Sequence, residues 1–224
     1  MDKIFTPNLT SKLLLKSASD LLSKKPIENY IELGCGSGFI TFNLTNYLSK
    51  SKSVFLTDIS NQAIDEVKKV IMNEKLNFTA LQSNLFDNVD KSLKFDLILS
   101  DVAAISEKLL PITDWYHGVS CETGDDGLAL ISKLLDKSRS YMNDSCILLY
   151  PALSLSNTSL LRTKADSFFE NTSVVASKDW PYKFENNDID YLNKLKDEGI
   201  ISFKIISGYH VFTTEVWKSW GPIN

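Results

Sequence analysis

The sequence predicts an α/β fold: a doubly wound, mostly parallel seven-stranded sheet with helices on both faces and an antiparallel last strand pair. Two observations predict it. Short apolar, β-branched runs alternate with helix-period segments along most of the chain, which calls for parallel strands joined by crossover helices. Near the end, two strand-like runs follow each other with no crossover helix of the usual kind between them.

Each element has its own signature. The segment "TSKLLLKSASDLL" has helical spacing, "YIELG" reads as the first strand and "GFITFNLTNYLS" as a helix. "SVFLTDI" is the second strand, and "NQAIDEVKKVIMNE" is an amphipathic helix. "NFTALQSN" and "FDLILSD" are the next strands, the latter apolar between charges as a buried parallel strand should be. The helix "GLALISKLLDKSRSYM", the strand "CILLYPA" and the helix "TSLLRTKADSFF" follow. The closing strands lie near "TSVVASKDW" and "KIISGYHVFTTEVW". One domain over 1–224 is expected, with a helical lead-in at 1–26 and an insertion at 181–203 that is rich in charge.

Composition narrows the class. The 224 residues are 43% hydrophobic, enough for one full core, and the net charge of −4 gives no field that would gather a polyanion. Nucleic acid is therefore disfavoured as a partner. Three cysteines without a CxxC pair suit a reduced, cytoplasmic setting. No window reaches the roughly 18 apolar residues of a membrane span, and neither histidine has a partner at metal-ligand spacing, so neither a membrane nor a metal is expected. Oligomeric state is not encoded in any pattern of this kind.

In a doubly wound sheet, ligands sit beyond the carboxyl ends of the strands, so the loops there carry the functional reading. The first loop is Gly34-Cys35-Gly36-Ser37-Gly38. Its GxGxG spacing differs from the GxGxxG of a dinucleotide site, which disfavours NAD. Glu32, two residues before the first glycine, suits a cationic ligand better than a pyrophosphate. The second loop carries Asp58, whose carboxylate can accept both hydroxyls of a ribose, followed by Ile59; capping the next helix is the bland alternative for Asp58. The third loop carries Asn84 and Leu85, placed for an adenine edge and face. Ribose, adenine and a positive charge without a phosphate cradle describe S-adenosylmethionine.

The runs "IELGCGSGFI", "VFLTDIS", "SNLF" and "FDLILSD" resemble the successive motifs of class I S-adenosylmethionine-dependent methyltransferases, which share a Rossmann-like sheet. The wording resembles the HemK/PrmC-like branch, which modifies glutamine in release factors. "IFTPNLTSKLLLKSA", with Pro7 and Ser11, is similar to that branch's lead-in. "ETGDDGLALISKLL" is similar to its Gly-Gly-x-Asp-Gly-Leu segment at Gly124, Asp126, Gly127 and Leu128. The resemblance implies a cofactor site built from Glu32, Gly34, Cys35, Gly36, Gly38, Asp58, Ile59, Asn84 and Leu85.

The acceptor side departs from that pattern. Where the branch has Asn-Pro-Pro-Tyr or Asp-Pro-Pro-Tyr, this chain has Asp101-Val102-Ala103-Ala104, so the acceptor carboxylate stays while the prolines and the stacking ring are gone. Asp101 is the candidate to orient or deprotonate a nucleophile. In "PITDWYHG", Trp115 and Tyr116 are candidates for a stacking wall and His117 for a general base, with local packing as the alternative. His210 alternates along a strand and reads as structural. A small-molecule acceptor is expected. The alternatives are a HemK-like enzyme acting on a protein glutamine or a nucleic-acid base, and a catalytically silent domain of the same fold.

Overall fold

The computed structural model describes residues 6–102, 104–113, 115 and 122–223. Among the described residues, the first seven strands and the α-helices follow the chain as α1 (Leu9–Leu22), β1 (Asn29–Leu33), α2 (Phe39–Asn43), α3 (Thr45–Leu48), β2 (Ser53–Asp58), α4 (Asn61–Asn73), β3 (Thr79–Gln82), β4 (Phe95–Ser100), α5 (Ala129–Ser138), β5 (Met142–Leu153), α6 (Thr158–Phe168), β6 (Phe169–Tyr182), α7 (Ile189–Asp197) and β7 (Lys204–Ile206). β8 (Tyr209–Pro222) completes the sheet, whose order is β3-β2-β1-β4-β5-β8-β6, with β7 paired to β8 off this path. β1 to β5 pair in parallel, and β8 runs antiparallel between β5 and β6.

Period-two alternation explains the two layers. Tyr30, Leu97, Leu99 and Leu149 point to one face, where they meet α1, α2, α3 and α4 through Leu14, Ile40, Leu48 and Ile64. Ile31, Leu33, Ile98 and Leu148 point to the other, against Ile131 and Leu134 of α5 and Leu161 of α6. α1 starts where Asn8 accepts from the backbone of Thr10 (2.8 Å) and Ser11 (3.3 Å), while Ser11 Oγ accepts the Asn8 N–H in return. That reciprocal cap fixes the entry of the helix, and Leu14, Ala18 and Leu22 at four-residue spacing bury its inner face.

Two expectations change. The helix foreseen after the glycine loop is split at Leu44 (φ −99°, ψ 3°) into α2 and α3. The Asn43 amide donates to the Phe39 carbonyl (2.8 Å) and the Thr45 hydroxyl to that of Phe42 (2.7 Å), so side chains compete with the helical ladder. The final strand is also not continuous, which makes the sheet eight-stranded rather than seven-stranded. Ser207 (φ 51°) and Gly208 (φ 80°) form a two-residue turn in the left-handed region, and the run folds into the β7–β8 hairpin.

The loop after β4 is fastened at several points. The Ser106 N–H donates to the Leu155 carbonyl (2.9 Å), and its hydroxyl to that of Asp125 (2.5 Å). Thr123 Oγ1 donates to the Ile105 carbonyl (2.6 Å), and the Gly124 N–H to Glu107 (2.8 Å). Gly127 (φ 76°) makes this interlock possible, because a Cβ there would lie 2.6 Å from Ser156 Cβ and 2.7 Å from Ser106 N. Gly127→Ala is expected to cost roughly 2 kcal/mol or more through strain and crowding, lowering the thermal unfolding midpoint by about 5 °C or more. An unchanged midpoint would show that the two segments part freely.

Candidate active site

Three carboxylates stand at the carboxyl ends of adjacent strands: Glu32 within β1, Asp58 closing β2 and Asp101 just past β4. The glycine loop runs among them. It is pinned to β2 by two backbone donors, with the Cys35 N–H on the Thr57 carbonyl (2.9 Å) and the Gly36 N–H on Asp58 Oδ2 (2.8 Å). Asp58 Oδ1 accepts the Ser60 N–H (2.8 Å), whereas α4 is capped by Ser60, whose hydroxyl accepts the Ala63 N–H (3.3 Å). The helix-capping alternative for Asp58 is thus taken by Ser60, and the Asp58 carboxylate, with one backbone donor on each oxygen, keeps lone pairs to spare.

The glycines have separate reasons to be bare. Gly34 (φ 69°) passes so near Val102 that a Cβ would lie 3.1 Å from its Cγ1, and a Cβ on Gly38 (φ 74°) would meet the Phe42 ring at 2.4 Å. Gly36 (φ 52°) differs: nothing lies within 4 Å of where its Cβ would be. Its bare face is open. Beyond Asp58, Ile59 leaves an apolar side chain 67% exposed, and Asn84 is exposed next to it in the third loop. Carboxylates, an open glycine backbone and an exposed apolar side chain fit the charged and aromatic parts of S-adenosylmethionine.

Glu32 is 1% exposed. Its carboxylate accepts the Thr41 N–H (3.1 Å) and the Thr41 hydroxyl, and Thr41 Oγ1 lies 2.9 Å from the Tyr30 hydroxyl. Burial, helped by the nearby Asp101 and Asp58, raises its pKa to about 8 against the lowering pull of the Thr41 bonds. Asp101 is held by Ser11, whose hydroxyl donates to Oδ2 at 2.5 Å. Burial raises the Asp101 carboxyl to about 6, while the Ser11 bond pulls it down. A cation placed among these groups favours their ionised forms.

Other expected site residues stand apart. Cys35 and Leu85 are 5% exposed with side chains in the core, so each can offer a ligand only its backbone. Leu85 has φ 52°, and its carbonyl accepts from the Thr57 hydroxyl (3.4 Å). Trp115 stands edge-on to Trp180, Tyr182, Phe184 and Phe212 at 5.3 to 6.2 Å, within an aromatic cluster that includes the start of the 181–203 segment. Tyr116 and His117 lie outside the described residues. His210 is buried on β8 against Phe184 and Phe203; among the described residues its nitrogens have no hydrogen-bond partner, and burial and Lys196 lower its pKa.

Sequence reasoning missed the partners that aim the carboxylates. Thr41 is a hydroxyl on the inner side of the helix after the glycine loop. Ser11 is the third residue of a capping box, and its second bond crosses 90 residues of sequence to Asp101. Only the box itself was readable locally.

With this geometry the fold and the site define a class I methyltransferase domain. The description of the methyltransferase-domain family matches residues 24–188, and the chain belongs to that family, whose methyl donor is S-adenosylmethionine. It is 30% identical over 148 residues to a release factor glutamine methyltransferase of Fusobacterium nucleatum, covering 63% of this chain and 42% of that protein. It is 35% identical over 130 residues to one of Rhodopirellula baltica, covering 55% and 44%. A ribosomal protein uL3 glutamine methyltransferase of Francisella tularensis shares 29% over 131 residues, 55% of this chain and 40% of that one. The chain therefore spans less than half the length of each of these relatives. Among solved structures, a ribosomal protein L11 methylase from Lactobacillus delbrueckii shares the fold, with a TM-score of 0.57 at 13% identity over 97% of this chain and 82% of that one. No described helix is long and apolar enough to cross a membrane.

The pKa of Glu32 yields a stability test. Its folded value, about 8, lies above the ordinary 4.5, so the folded chain keeps a proton that the unfolded chain releases between these limits. The stability from this group is full below about pH 4.5 and lost as pH rises through about 8. Thermal unfolding of the ligand-free wild type should therefore weaken across this range, and Glu32→Gln should flatten the decline. Parallel pH profiles for the two proteins would contradict the assignment.

Proposed function

We propose that this domain methylates the side-chain amide of a glutamine in a protein substrate. The observation that carries the reading is Asp101, half-buried at the carboxyl end of β4 and aimed by Ser11 beside the glycine loop. The similarity to enzymes named for glutamine in release factors and in a ribosomal protein supports a protein acceptor and displaces the small-molecule acceptor expected from sequence.

The chemistry follows from the acceptor's weakness. An amide nitrogen shares its lone pair with the carbonyl and is a poor nucleophile. S-adenosylmethionine, when bound, supplies an electrophilic methyl group on a positively charged sulfur. Glu32, Asp58 and the open backbone of Gly36 would hold that donor, with Ile59 and Asn84 toward its adenine end. Asp101 accepts an N–H of the amide, drawing electron density onto nitrogen and orienting it toward the methyl group. In its ionised form the carboxylate can also take the proton that nitrogen must lose once methylated.

Burial does in this chain what prolines do in the relatives' motif. Val102, Ala104 and Ile105 are 8%, 2% and 8% exposed, and Val102 is wedged against Gly34. The acceptor loop is therefore held by packing against the donor loop and by the interlock at Ser106 and Gly127.

Turnover with S-adenosylmethionine and a bacterial release factor, read by mass spectrometry of the methylated glutamine, should rise with pH through about 6 as Asp101 ionises. Asp101→Asn should keep measurable turnover and lose that limb, since Asn stands here in the glutamine-modifying branch. Ser11→Ala should move the limb to higher pH, because the carboxylate loses a donor that stabilises its charge. A limb unchanged in both variants would remove Asp101 from the chemistry.

A further inference from the structure

β7 extends the line of β5 beyond the sheet. β5 ends at Leu153, opposite Thr214 of β8. Ser154 continues beside Thr213, its N–H on the Thr213 carbonyl (2.9 Å), and its own carbonyl accepts the Ser202 N–H (2.7 Å). Lys204, Ile205 and Ile206 then pair with Val211, His210 and Tyr209. β8 flanks β7 on one side. On the other, β7 has no strand partner among the described residues.

This edge is only three residues long and opens with an exposed Lys204, two of the features that usually protect a strand edge, but it holds no proline and its other two residues are isoleucines. It presents Ile205 and Ile206 at 64% and 52% exposure, with Tyr209 across the turn at 45%. Open backbone donors and acceptors flanked by exposed apolar side chains are what an extended peptide needs to add itself as a strand.

The register says where such a strand would lead. β4 neighbours β5 on the side away from β8, so a strand added to β7 falls in line with β4 and points back toward Asp101. Leu99 pairs with Leu149, and Leu149 with Lys218, which puts Asp101, two residues past Leu99, level with Val216. Lys204 pairs with Val211, five residues further along β8, and Ile206 with Tyr209, seven further. At about 3.3 Å per residue these positions lie roughly 17 to 23 Å from Asp101.

We propose that β7 is the docking edge for the protein substrate: an extended, apolar segment about five to seven residues from the acceptor glutamine adds to it as a strand. The proposal rests on the reading of Asp101 as the centre of a protein-directed methyltransferase. A second copy of this chain is the weaker occupant. An edge three residues long falls far short of the roughly 1,200 Å2 that a stable interface buries, whereas a substrate is also gripped at the reaction centre.

The test uses the full chain and an Ile205→Asp/Ile206→Asp variant, both sites being exposed enough to spare the fold. The probes are an intact release factor and a short acetylated tripeptide amide containing glutamine. The docking edge predicts that the variant's KM for the release factor rises at least tenfold. Its kcat, its S-adenosylmethionine affinity and its kinetics with the tripeptide should stay within about twofold of wild type. Unchanged KM for the release factor, or methylation of the tripeptide alone, overturns docking while leaving the amide chemistry standing. If wild type methylates neither probe, the glutamine reading fails and docking with it. A wild-type dimer that the substitutions dissociate, seen by sedimentation, assigns the edge to self-association and also overturns the proposal.

Discussion

The 2.8 Å hydrogen bond from the Gly36 N–H to Asp58 ties the loop after β1 to the end of β2, and the rest of the site is arranged around that tie. It fixes a glycine backbone that a side chain at Gly34 or Gly38 would displace. It also holds Asp58 next to Glu32, which Thr41 aims from α2. Placing Glu32, Asp58 and Asp101 near one another is unfavourable by itself. Burial and mutual repulsion push Glu32 to about 8, and burial pushes Asp101 to about 6. Such an arrangement costs the ligand-free protein and rewards a cation, which is the electrostatic sense of a sulfonium donor binding here.

The lead-in helix belongs to the same economy of contacts. α1 packs Leu14, Ala18 and Leu22 against the sheet, yet its first turn reaches the end of β4, because Ser11 serves both the helix cap and Asp101. The acceptor loop is then held on two sides. Val102 abuts Gly34, and the Ser106–Asp125 and Thr123–Ile105 bonds fasten it to the turn before α5. The loop's rigidity comes from burial and hydrogen bonds spread over three segments.

Much of this was legible in the sequence, for reasons of period and position. Alternation in "YIELG" and "FDLILSD" is what two-sided burial requires, and GxGxG with Glu32 and Asp58 marks the loops at the carboxyl ends. Residues whose side chains turn inward were not legible. Cys35 and Leu85 occupy ligand-facing segments yet pack into the core, since their loops must close over the sheet as well as face outward. The break at Leu44 depends on side chains bonding their own helix. The β7–β8 hairpin depends on a Ser–Gly turn inside a run that reads as one strand. The Ser11–Asp101 bond joins positions 90 residues apart, a distance that no local pattern spans.

Calorimetric titration of the protein with S-adenosylmethionine and with its thioether product, S-adenosylhomocysteine, at pH 6 and pH 8 tests the electrostatic account most directly. Glu32 passes from almost wholly protonated to about half ionised in this interval, so the sulfonium ligand should bind at least about tenfold more tightly at pH 8, with a smaller gain for the neutral-sulfur product. Equal affinity at both pH values, or an equal gain for both ligands, would contradict a site organised by carboxylates around a positive sulfur.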